Sequence, residues 1–265
     1  MKTVSTFNAL HLGDNLVHLH FLRKLAAAYP DVSFIHGAPD EHLGQLYPVW
    51  VDMENLTVKS IAEIGQGAIN AWRGAGGHWY SHPQRNDFVA YHLDWFAHVA
   101  RLMGLTSPFT CARDLLFDYP ALRAPNSEDP GVSEWPDALI INSPPQSGQW
   151  GGFHPAGFDA LVAFLRYDLD YNVITTAPCG FRTIPCTRDQ GMDITAIGRL
   201  SQRVKLIIGC VTGPMWPTLN VWNADTVALR VHLLDQERVD YVPERTIHCA
   251  DLAQVPALLT ARGPL

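Results

Sequence analysis

The sequence predicts an α/β protein in which two Rossmann-like βαβ domains face each other across a cleft. Three observations support this. Strand-like and helical patterns alternate near the amino terminus, the same alternation restarts near residue 138, and a stretch rich in proline, serine and acidic residues separates them. We place an N-terminal domain at residues 1–118, a linker at 119–137 and a C-terminal domain at 138–265.

The composition excludes several classes of protein. Apolar residues make up 47% of the 265 residues, which is unlike a disordered chain, and the net charge of −7 argues against a general nucleic-acid-binding surface. The chain has no run of about 18 apolar residues, and its amino terminus lacks the apolar core of a signal peptide. We therefore expect a cytoplasmic protein without a transmembrane segment. Peripheral contact with a membrane stays open.

The cysteines and histidines do not indicate a metal centre. The five cysteines form no Cys-x-x-Cys pair, so we expect them to be reduced and buried. The twelve histidines include no His-Glu-x-x-His motif, and His18 and His20 are two positions apart in a predicted helix, where they point to different faces. We expect surface or core histidines, no bound metal and no cofactor.

The first domain opens with a strand, a loop and a helix. Val4 to Leu10 has the β-branched and apolar character of a buried strand, and His11–Asn15 is the loop. Leucines then recur at helical spacing from Leu16 to Tyr29. Val32 to His36 is the next strand, which completes a βαβ unit.

The rest of this domain is less regular. A short strand is predicted at Thr57–Ile61, and the glycine-rich aromatic segment Gly65–Tyr80 is either a substrate-facing loop or packs on the sheet. Asp87 is placed to cap a helix over Phe88–Met103 that ends at Gly104. The predicted buried face of this helix consists of Val89, Leu93, Phe96, Val99 and Leu102.

The second domain repeats the alternation of strands and helices. We predict strands at Ala138–Asn142, Asn172–Thr176 and Lys205–Cys210, and helices at Phe158–Tyr167 and Ile194–Gln202.

Ligands of open α/β sheets bind beyond the carboxyl ends of the strands, so the loops after strands are the candidate sites. Four stand out: Gly13–Asn15, Ser143–Gly148, Thr176–Asp189 and Thr212–Met215. The turn at Thr212 offers a hydroxyl and backbone N–H groups at the start of a predicted helix, an arrangement suited to a diphosphate. Taken alone, the same turn is better explained as an ordinary connection from strand to helix.

Two short motifs occur in the two halves. Gly13-Asp14 follows the first strand and leads into a helix that carries Leu22-Arg23-Lys24-Leu25 and stops at Pro30, and Thr212-Gly213-Pro214 follows a buried strand. Together they resemble the ADP-heptose:lipopolysaccharide heptosyltransferases, glycosyltransferase family 9, which have the GT-B fold. Val211 and Trp216 stand where that family has an acidic residue and a histidine.

The resemblance implies a glycosyltransferase that works without metal. It implies that a sugar passes from a nucleotide-diphosphate sugar, which is a substrate and not a cofactor, to a glycan or another hydroxyl acceptor. Asp14 is implied as the general base, kept ionised by the helix dipole, although the residue pattern favours a helix N-cap equally. The implied donor-binding residues are Gly13, Ser143, Gln146, Ser147, Arg182, Thr212, Gly213, Pro214 and Met215.

Two other classes of function stay open. One is a non-catalytic relative that binds a nucleotide or a glycan, which the residues at positions 211 and 216 favour. The other is a nucleotide-sugar epimerase or hydrolase on the same scaffold, which requires further acidic or histidine side chains at the site.

Overall fold

The structure is a computed structural model that describes residues 2–71, 86–124, 135–146, 150–210, 212–235, 239–263 and 265. The chain divides into two compact units. The first consists of Met1–Ala121 and Val239–Tyr241, and the second of Leu122–Arg238 and Val242–Leu265.

Each unit is built on a parallel sheet, which confirms the predicted α/β class. The first sheet has the order β3-β2-β1-β4, with β1 at Lys2–Phe7, β2 at Val32–Ala38, β3 at Leu56–Ser60 and β4 at Ile69–Asn70. The second has the order β6-β5-β7-β8-β9, with β5 at Ala138–Ile141, β6 at Val173–Thr175, β7 at Leu206–Cys210, β8 at Leu229–Leu233 and β9 at Thr246–Cys249. Every pair of strands in the described part of the chain is parallel.

Helices connect the strands. They are α1 (Leu12–Ala28), α2 (Asp40–Trp50), α3 (Phe88–Leu102), α4 (Pro155–Ala163), α5 (Ile194–Leu200) and α6 (Val255–Arg262). Helix α4 continues as a π-helical turn over Phe164–Asp168. Short 3-10 helices lie at Ile61–Glu63, Ala112–Leu115, Pro120–Leu122, Gly213–Thr218, Pro243–Arg245 and Leu252–Gln254. No described helix combines the length and apolarity that a membrane span requires.

Four helices differ from the sequence prediction. Helix α4 begins at Pro155 and not at Phe158, and it gives way to a π-helical turn at Phe164, while α6 was not predicted. Helix α1 begins at Leu12 and not at Leu16, so Gly13 and Asp14 lie inside its first turn. Glycine and aspartate look like loop residues in a sequence, but the first turn tolerates both, and an acidic side chain there is favoured by the helix dipole. Helix α2 was not predicted, because Gly44 and Pro48 interrupt its pattern.

The ends of α3 are as predicted, but its buried face is predicted only in part. Phe96 and Val99 are buried, while Val89 and Leu93 are half-buried. The Asp87 carboxylate accepts a hydrogen bond of 2.9 Å from the Ala90 N–H, and Gly104 follows the helix with a φ of +68°. Leu102 is 53% exposed, which contradicts its place in the predicted core face. The side chains that pack inward include Tyr91, His92 and Trp95, which a pattern based mainly on aliphatic residues overlooks.

Two predicted segments fall largely outside the described residues. Most of Gly65–Tyr80 lies in residues 72–85, and the centre of the predicted linker lies in residues 125–134.

The three-residue segment Val239–Tyr241 belongs to the first unit. Val239 forms a parallel bridge with Asp87, accepts a 2.9 Å hydrogen bond from the Phe88 N–H and donates one of 2.9 Å to the Asn86 carbonyl. The Tyr241 hydroxyl lies 2.9 Å from Nδ1 of His92. The start of α3 is therefore fixed by residues that come much later in the chain.

All five cysteines are free. Cys186, Cys210 and Cys249 are buried as expected, but Cys179 is only half-buried and Cys111 is exposed, contrary to the prediction. It precedes the 3-10 helix at Ala112–Leu115, where its N–H donates to the Asp114 carboxylate.

The core of the first unit surrounds α1 and contains histidines as well as leucines. Phe21 of α1 stacks on Phe96 of α3 with 4.5 Å between ring centroids. Burial lowers the pKa of His36 to about 3 and that of His20 to about 4, and it lowers the pKa of His18 well below the usual value. All three imidazoles are therefore neutral at pH 7.

His18 differs from the other two, because neither of its ring nitrogens has a hydrogen-bond partner among the described residues. Its ring packs on those of Phe21, His36 and Trp95, with centroid distances of 5.8, 5.0 and 6.3 Å. His18 thus occupies the place of an aromatic core residue.

We expect the His18→Phe variant to resist acid better than the native chain. A histidine whose folded pKa is depressed supports the fold above pH 6.5, and that support is lost as the pH falls towards the folded value, because only the unfolded chain takes up the proton. Each such histidine makes the free energy of unfolding fall by about 1.4 kcal/mol per pH unit in this window. Urea unfolding between pH 7.5 and 5 should show the native curve falling more steeply than the variant curve by about this slope. Parallel curves would contradict the assignment.

Candidate functional site

The first candidate site lies where β1 ends and α1 begins. Residues 8–11 connect the two elements, and Gly13 and Asp14 occupy the second and third positions of the helix. The N-cap residue is His11, whose side chain makes no capping hydrogen bond. The alternative prediction, in which Asp14 is the N-cap, is therefore wrong.

Asp14 has an unusual environment for an acidic side chain at a helix start. Burial raises its pKa to about 6, although the nearby His11 and the backbone N–H groups of His11 and Asp14 itself favour the ionised form. The expectation that the helix dipole decides its ionisation is thus incomplete, because the loss of hydration outweighs the favourable partners. A carboxyl with a pKa near 6 is ionised at neutral pH and is a stronger base than an ordinary aspartate.

Tyr91 of α3 faces this carboxylate. Burial and the negative charge of Asp14 raise the pKa of the Tyr91 phenol, so it stays protonated.

A chain of hydrogen bonds lies behind Asp14, and the sequence analysis missed it. Thr6 Oγ1 is 3.0 Å from His36 Nδ1, and His36 Nε2 is 3.1 Å from Asn15 Oδ1. The Asn15 amide nitrogen donates to the carbonyls of Leu10 and His11, each at 3.1 Å. Thr6, Asn15 and His36 are fully buried. The one sequence feature that could have pointed to these hydrogen bonds is the position of Asn15 directly after Asp14.

The second candidate site lies at the carboxyl ends of β5, β6 and β7, which are neighbours in the sheet. Asn142 follows β5, and its carboxamide both accepts from the Ala177 N–H (2.7 Å) and donates to the Ala177 carbonyl (2.8 Å). The hydroxyls of Ser143 and Thr176 are 2.9 Å apart. Cys210 at the end of β7 places its sulfur 3.9 Å from the Ser143 carbonyl. Loops that are far apart in the sequence therefore meet here.

Close packing of β5 and β7 brings these loops together. Gly209 pairs with Ile141, and a Cβ at position 209 would lie 2.5 Å from the Ile141 Cβ. The absence of a side chain at Gly209 is therefore needed for this contact between the strands.

The Thr212 turn follows β7 and leads into the 3-10 helix Gly213–Thr218, not into the predicted α-helix. The Met215 N–H donates to the Thr212 carbonyl at 2.9 Å, and the Met215 side chain is fully buried. Met215 therefore belongs to the core, and its amide is used within the turn. The Thr212 hydroxyl is different, because it is buried without a hydrogen-bond partner among the described residues.

The other residues assigned to donor binding have less defined surroundings. Gln146 and Arg182 are exposed on the loops after β5 and β6, and Gly213 and Pro214 are partly buried in the Thr212 turn. Ser147 lies outside the described residues, as does Val211.

One acidic pair with the Asp-x-Asp spacing of many metal-binding sugar transferases was overlooked in the sequence. Asp168 ends the π-helical turn, and Asp170 follows with a φ of +55°. The Asp170 side chain is 97% exposed and pairs with Arg166 at 3.5 Å. The pair precedes β6, so it lies at the amino edge of the sheet, away from the loops that contain Ser143 and Thr212.

The basic residues of the first motif are structural. Arg23 forms an ion pair with Asp52, and Lys24 forms one with Asp118. Leu22 of the same motif is fully buried.

Comparison with known proteins finds similar structures but no similar sequences. No protein-family model matches the sequence, and no curated protein sequence matches it significantly. Solved structures do match. E. coli heptosyltransferase WaaC with ADP-2-deoxy-2-fluoro heptose is 12% identical over 98% of both chains, with a TM-score of 0.59.

Two further structures match over most of this chain. A glycosyl transferase family 9 protein from Veillonella parvula is 13% identical over 100% of this chain and 90% of its own, with a TM-score of 0.53. The iron-containing dodecameric glycosyltransferase TibC from enterotoxigenic E. coli is 14% identical over 93% of this chain and 64% of its own, with a TM-score of 0.54.

The chain has the GT-B fold. At identities of 12–14% the similarity is one of fold. In terms of this fold, Asp14 belongs to the first sheet unit and the Thr212 turn to the second.

We expect the Asp14→Asn variant to be more stable than the native protein at pH 8. The folded native chain holds an ionised, partly buried carboxylate there, so its removal should raise the free energy of unfolding by on the order of 1–3 kcal/mol. A raised carboxyl pKa destabilises the fold above that pKa, and the cost disappears as the pH falls from 6 towards about 4. Urea unfolding at pH 8 and pH 4.5 tests this.

The matched control is Asp40→Asn, which changes an exposed carboxylate in the first turn of α2. It should lower stability slightly, by well under ~1 kcal/mol, because it removes only a favourable interaction with the helix dipole. A loss of stability in Asp14→Asn equal to that in Asp40→Asn would show that the Asp14 carboxylate supports the fold.

Proposed function

We propose that the protein is a glycosyltransferase that moves a sugar from a nucleotide-diphosphate sugar to a hydroxyl acceptor. The observation that carries the proposal is the carboxylate of Asp14, which is partly buried, has a pKa of about 6 and lies at the carboxyl end of β1. A fold shared with heptosyltransferases supports the choice of reaction.

Asp14 acts as the general base in this proposal. An acceptor hydroxyl is a poor nucleophile until its proton is removed, and the best base is one whose pKa lies near the working pH. Ordinary aspartate, with a pKa near 4, is too weak to be efficient at neutral pH. Burial of Asp14 corrects this at the expense of stability, as is typical of functional residues.

The donor binds to the second unit. WaaC is described with an ADP-sugar analogue, and we assign the diphosphate of the donor to the loops after β5 and β7. The Thr212 hydroxyl is a buried donor without a partner among the described residues, and a phosphate oxygen satisfies such a group. Ser143 and Arg182 add a hydroxyl and a positive charge on the neighbouring loops.

Transfer in this proposal does not require a divalent metal. The Asp168–Asp170 pair precedes β6 and so lies at the opposite edge of the sheet from the proposed diphosphate loops. The diphosphate leaving group is stabilised instead by the Thr212 hydroxyl, the backbone of its turn and Arg182.

A second candidate function is nucleotide binding without transfer. Val211 and Trp216 replace the acidic residue and the histidine that family 9 has around this turn, and Trp216 is buried. Binding of ADP by a chain that turns over no donor, either with an acceptor or with water, would favour this function.

We expect Asp14→Asn to abolish most transfer while donor binding stays unchanged. ADP-heptose is the first donor to test, followed by UDP-, GDP- and dTDP-sugars. The acceptor is lipopolysaccharide lacking heptose, and the readout is release of the nucleoside diphosphate that belongs to each donor. The rate should fall by roughly 10² or more, the usual effect of losing a general base. In the native protein the rate should rise as the pH increases through about 6 and then level off.

The control is again Asp40→Asn, which should retain the native rate. Full transfer by Asp14→Asn, or a pH profile that is flat from 5 to 8, would overturn the assigned role.

We expect Thr212→Val to weaken ADP binding by about tenfold or more without loss of stability. Valine has nearly the shape of threonine, so only a hydroxyl bond to phosphate is removed, and a hydrogen bond to a charged group is worth roughly 1.5–3 kcal/mol. Thr246→Val is the matched control, because the Thr246 hydroxyl donates to the Val242 carbonyl at the amino end of β9.

Calorimetric titration with ADP in EDTA, repeated with Mg²⁺, measures both effects. Native affinity in Thr212→Val places the diphosphate elsewhere, and binding that requires Mg²⁺ overturns the metal-independent proposal.

A further inference from the structure

Asn15 is fully buried directly after Asp14, and its carboxamide has a partner for every polar atom. Its oxygen faces His36 Nε2, and its nitrogen faces the carbonyls of Leu10 and His11. Rotation of the amide by 180° would set its oxygen against two carbonyl oxygens, so the orientation is determined by the surroundings.

The same geometry determines which atom donates the proton in each hydrogen bond from Thr6 through His36 to Asn15. A carboxamide oxygen only accepts, so His36 Nε2 must carry a hydrogen and donate it to Asn15. His36 Nδ1 is then an acceptor and receives the hydroxyl hydrogen of Thr6. This arrangement requires a neutral imidazole, and burial holds the pKa of His36 at about 3.

His11 connects this series of hydrogen bonds to Asp14. The His11 carbonyl accepts hydrogen bonds from the Asn15 side chain (3.1 Å) and from the Asn15 backbone N–H (3.2 Å). The N–H of the same residue is one of the backbone groups that favour the ionised Asp14 carboxylate. The Asn15 side chain therefore holds the carbonyl of the residue whose N–H favours the ionised Asp14 carboxylate.

We propose that Asn15 is a positioning residue, which together with His36 and Thr6 fixes the His11 backbone against the carboxylate of Asp14. The proposal rests on the proposed function for the role of Asp14 in transfer. In this proposal the hydrogen bonds of Thr6, His36 and Asn15 act on Asp14 only through the position of the His11 backbone.

Among the described residues, the groups that interact with the charge of Asp14 come from two elements. His11 lies in its own turn and Tyr91 lies on α3. His11 favours the ionised carboxylate, and Tyr91 stays protonated. His36 is faced by the ring of His18, 5.0 Å away, which is also neutral.

The test measures the pKa of Asp14 directly, by carbon NMR of the full chain labelled at the aspartate carboxyl carbons. The Asp14→Asn spectrum assigns the signal. In the native protein the midpoint should lie at about 6. In Asn15→Ala it should rise to about 7, because a released His11 N–H no longer favours the ionised form.

Two His36 variants test the hydrogen bond between His36 and Asn15, which lies one step further from Asp14. His36→Phe removes the N–H that holds the Asn15 oxygen, so the Asp14 midpoint should rise as in Asn15→Ala. His36→Gln can restore an amide N–H near the position of Nε2, so the midpoint should return towards the native value.

Asn55→Ala is the matched control for simple loss of stability. The Asn55 amide nitrogen donates to the carbonyls of Ala26, Tyr29 and Val32 at the other end of α1. This variant should be destabilised like Asn15→Ala, but its Asp14 midpoint should stay native. A native midpoint in Asn15→Ala, or an equal rise in Asn55→Ala, overturns the inference.

The activity assay separates this inference from the proposed function. If both hold, Asn15→Ala lowers kcat about tenfold and moves the pH profile upward, with little change in the KM for the donor. If Asp14→Asn transfers normally, the proposed function fails, while the NMR midpoints still decide whether Asn15 positions the carboxylate.

Discussion

Loss of hydration at His36, Asn15 and Asp14 governs the hydrogen bonding and the ionisation near the start of α1. His36 is fully buried and must stay neutral, and a neutral imidazole has one donor and one acceptor. This fixes the direction of each hydrogen bond from Thr6 through Asn15 to the His11 carbonyl. The same low polarity raises the pKa of Asp14, so one physical cause orders the backbone and strengthens the base.

Parallel strands account for the position of the second site. Because all five strands of that sheet run the same way, the loops that follow β5, β6 and β7 emerge at one edge. The hydrogen bonds between Asn142 and Ala177 join the loops after β5 and β6, and the sulfur of Cys210 at the end of β7 lies 3.9 Å from the Ser143 carbonyl on the loop after β5. The topology thus separates this edge from the Asp168–Asp170 pair before any side chain is considered.

The sequence predicts the local structure well and the long-range polar contacts poorly. Strand and helix periods located both βα halves, and Asp14 was recognised because it lies in a short motif at the end of a strand. The pairing of Thr6 with His36 depends on the register of β1 and β2, in which these two residues are direct neighbours. A slip of one residue would put them on opposite faces, and no pattern within either strand contains that information. For the same reason the buried positions of Tyr91 and His92 on α3 could not be predicted, because they depend on what α3 packs against.

The hydrogen bonds of Val239 with Asn86 and Phe88 have a consequence for biosynthesis. The first unit lacks three of its residues until the ribosome has produced nearly all of the second. During translation the amino-terminal half can collapse early, but the start of α3 waits for Val239 and Tyr241 to arrive. The unit that is synthesised first is thus completed only late in translation. A nascent chain that has reached only Ala121 would expose the start of α3, where Val239–Tyr241 later pack, and a chaperone could bind there.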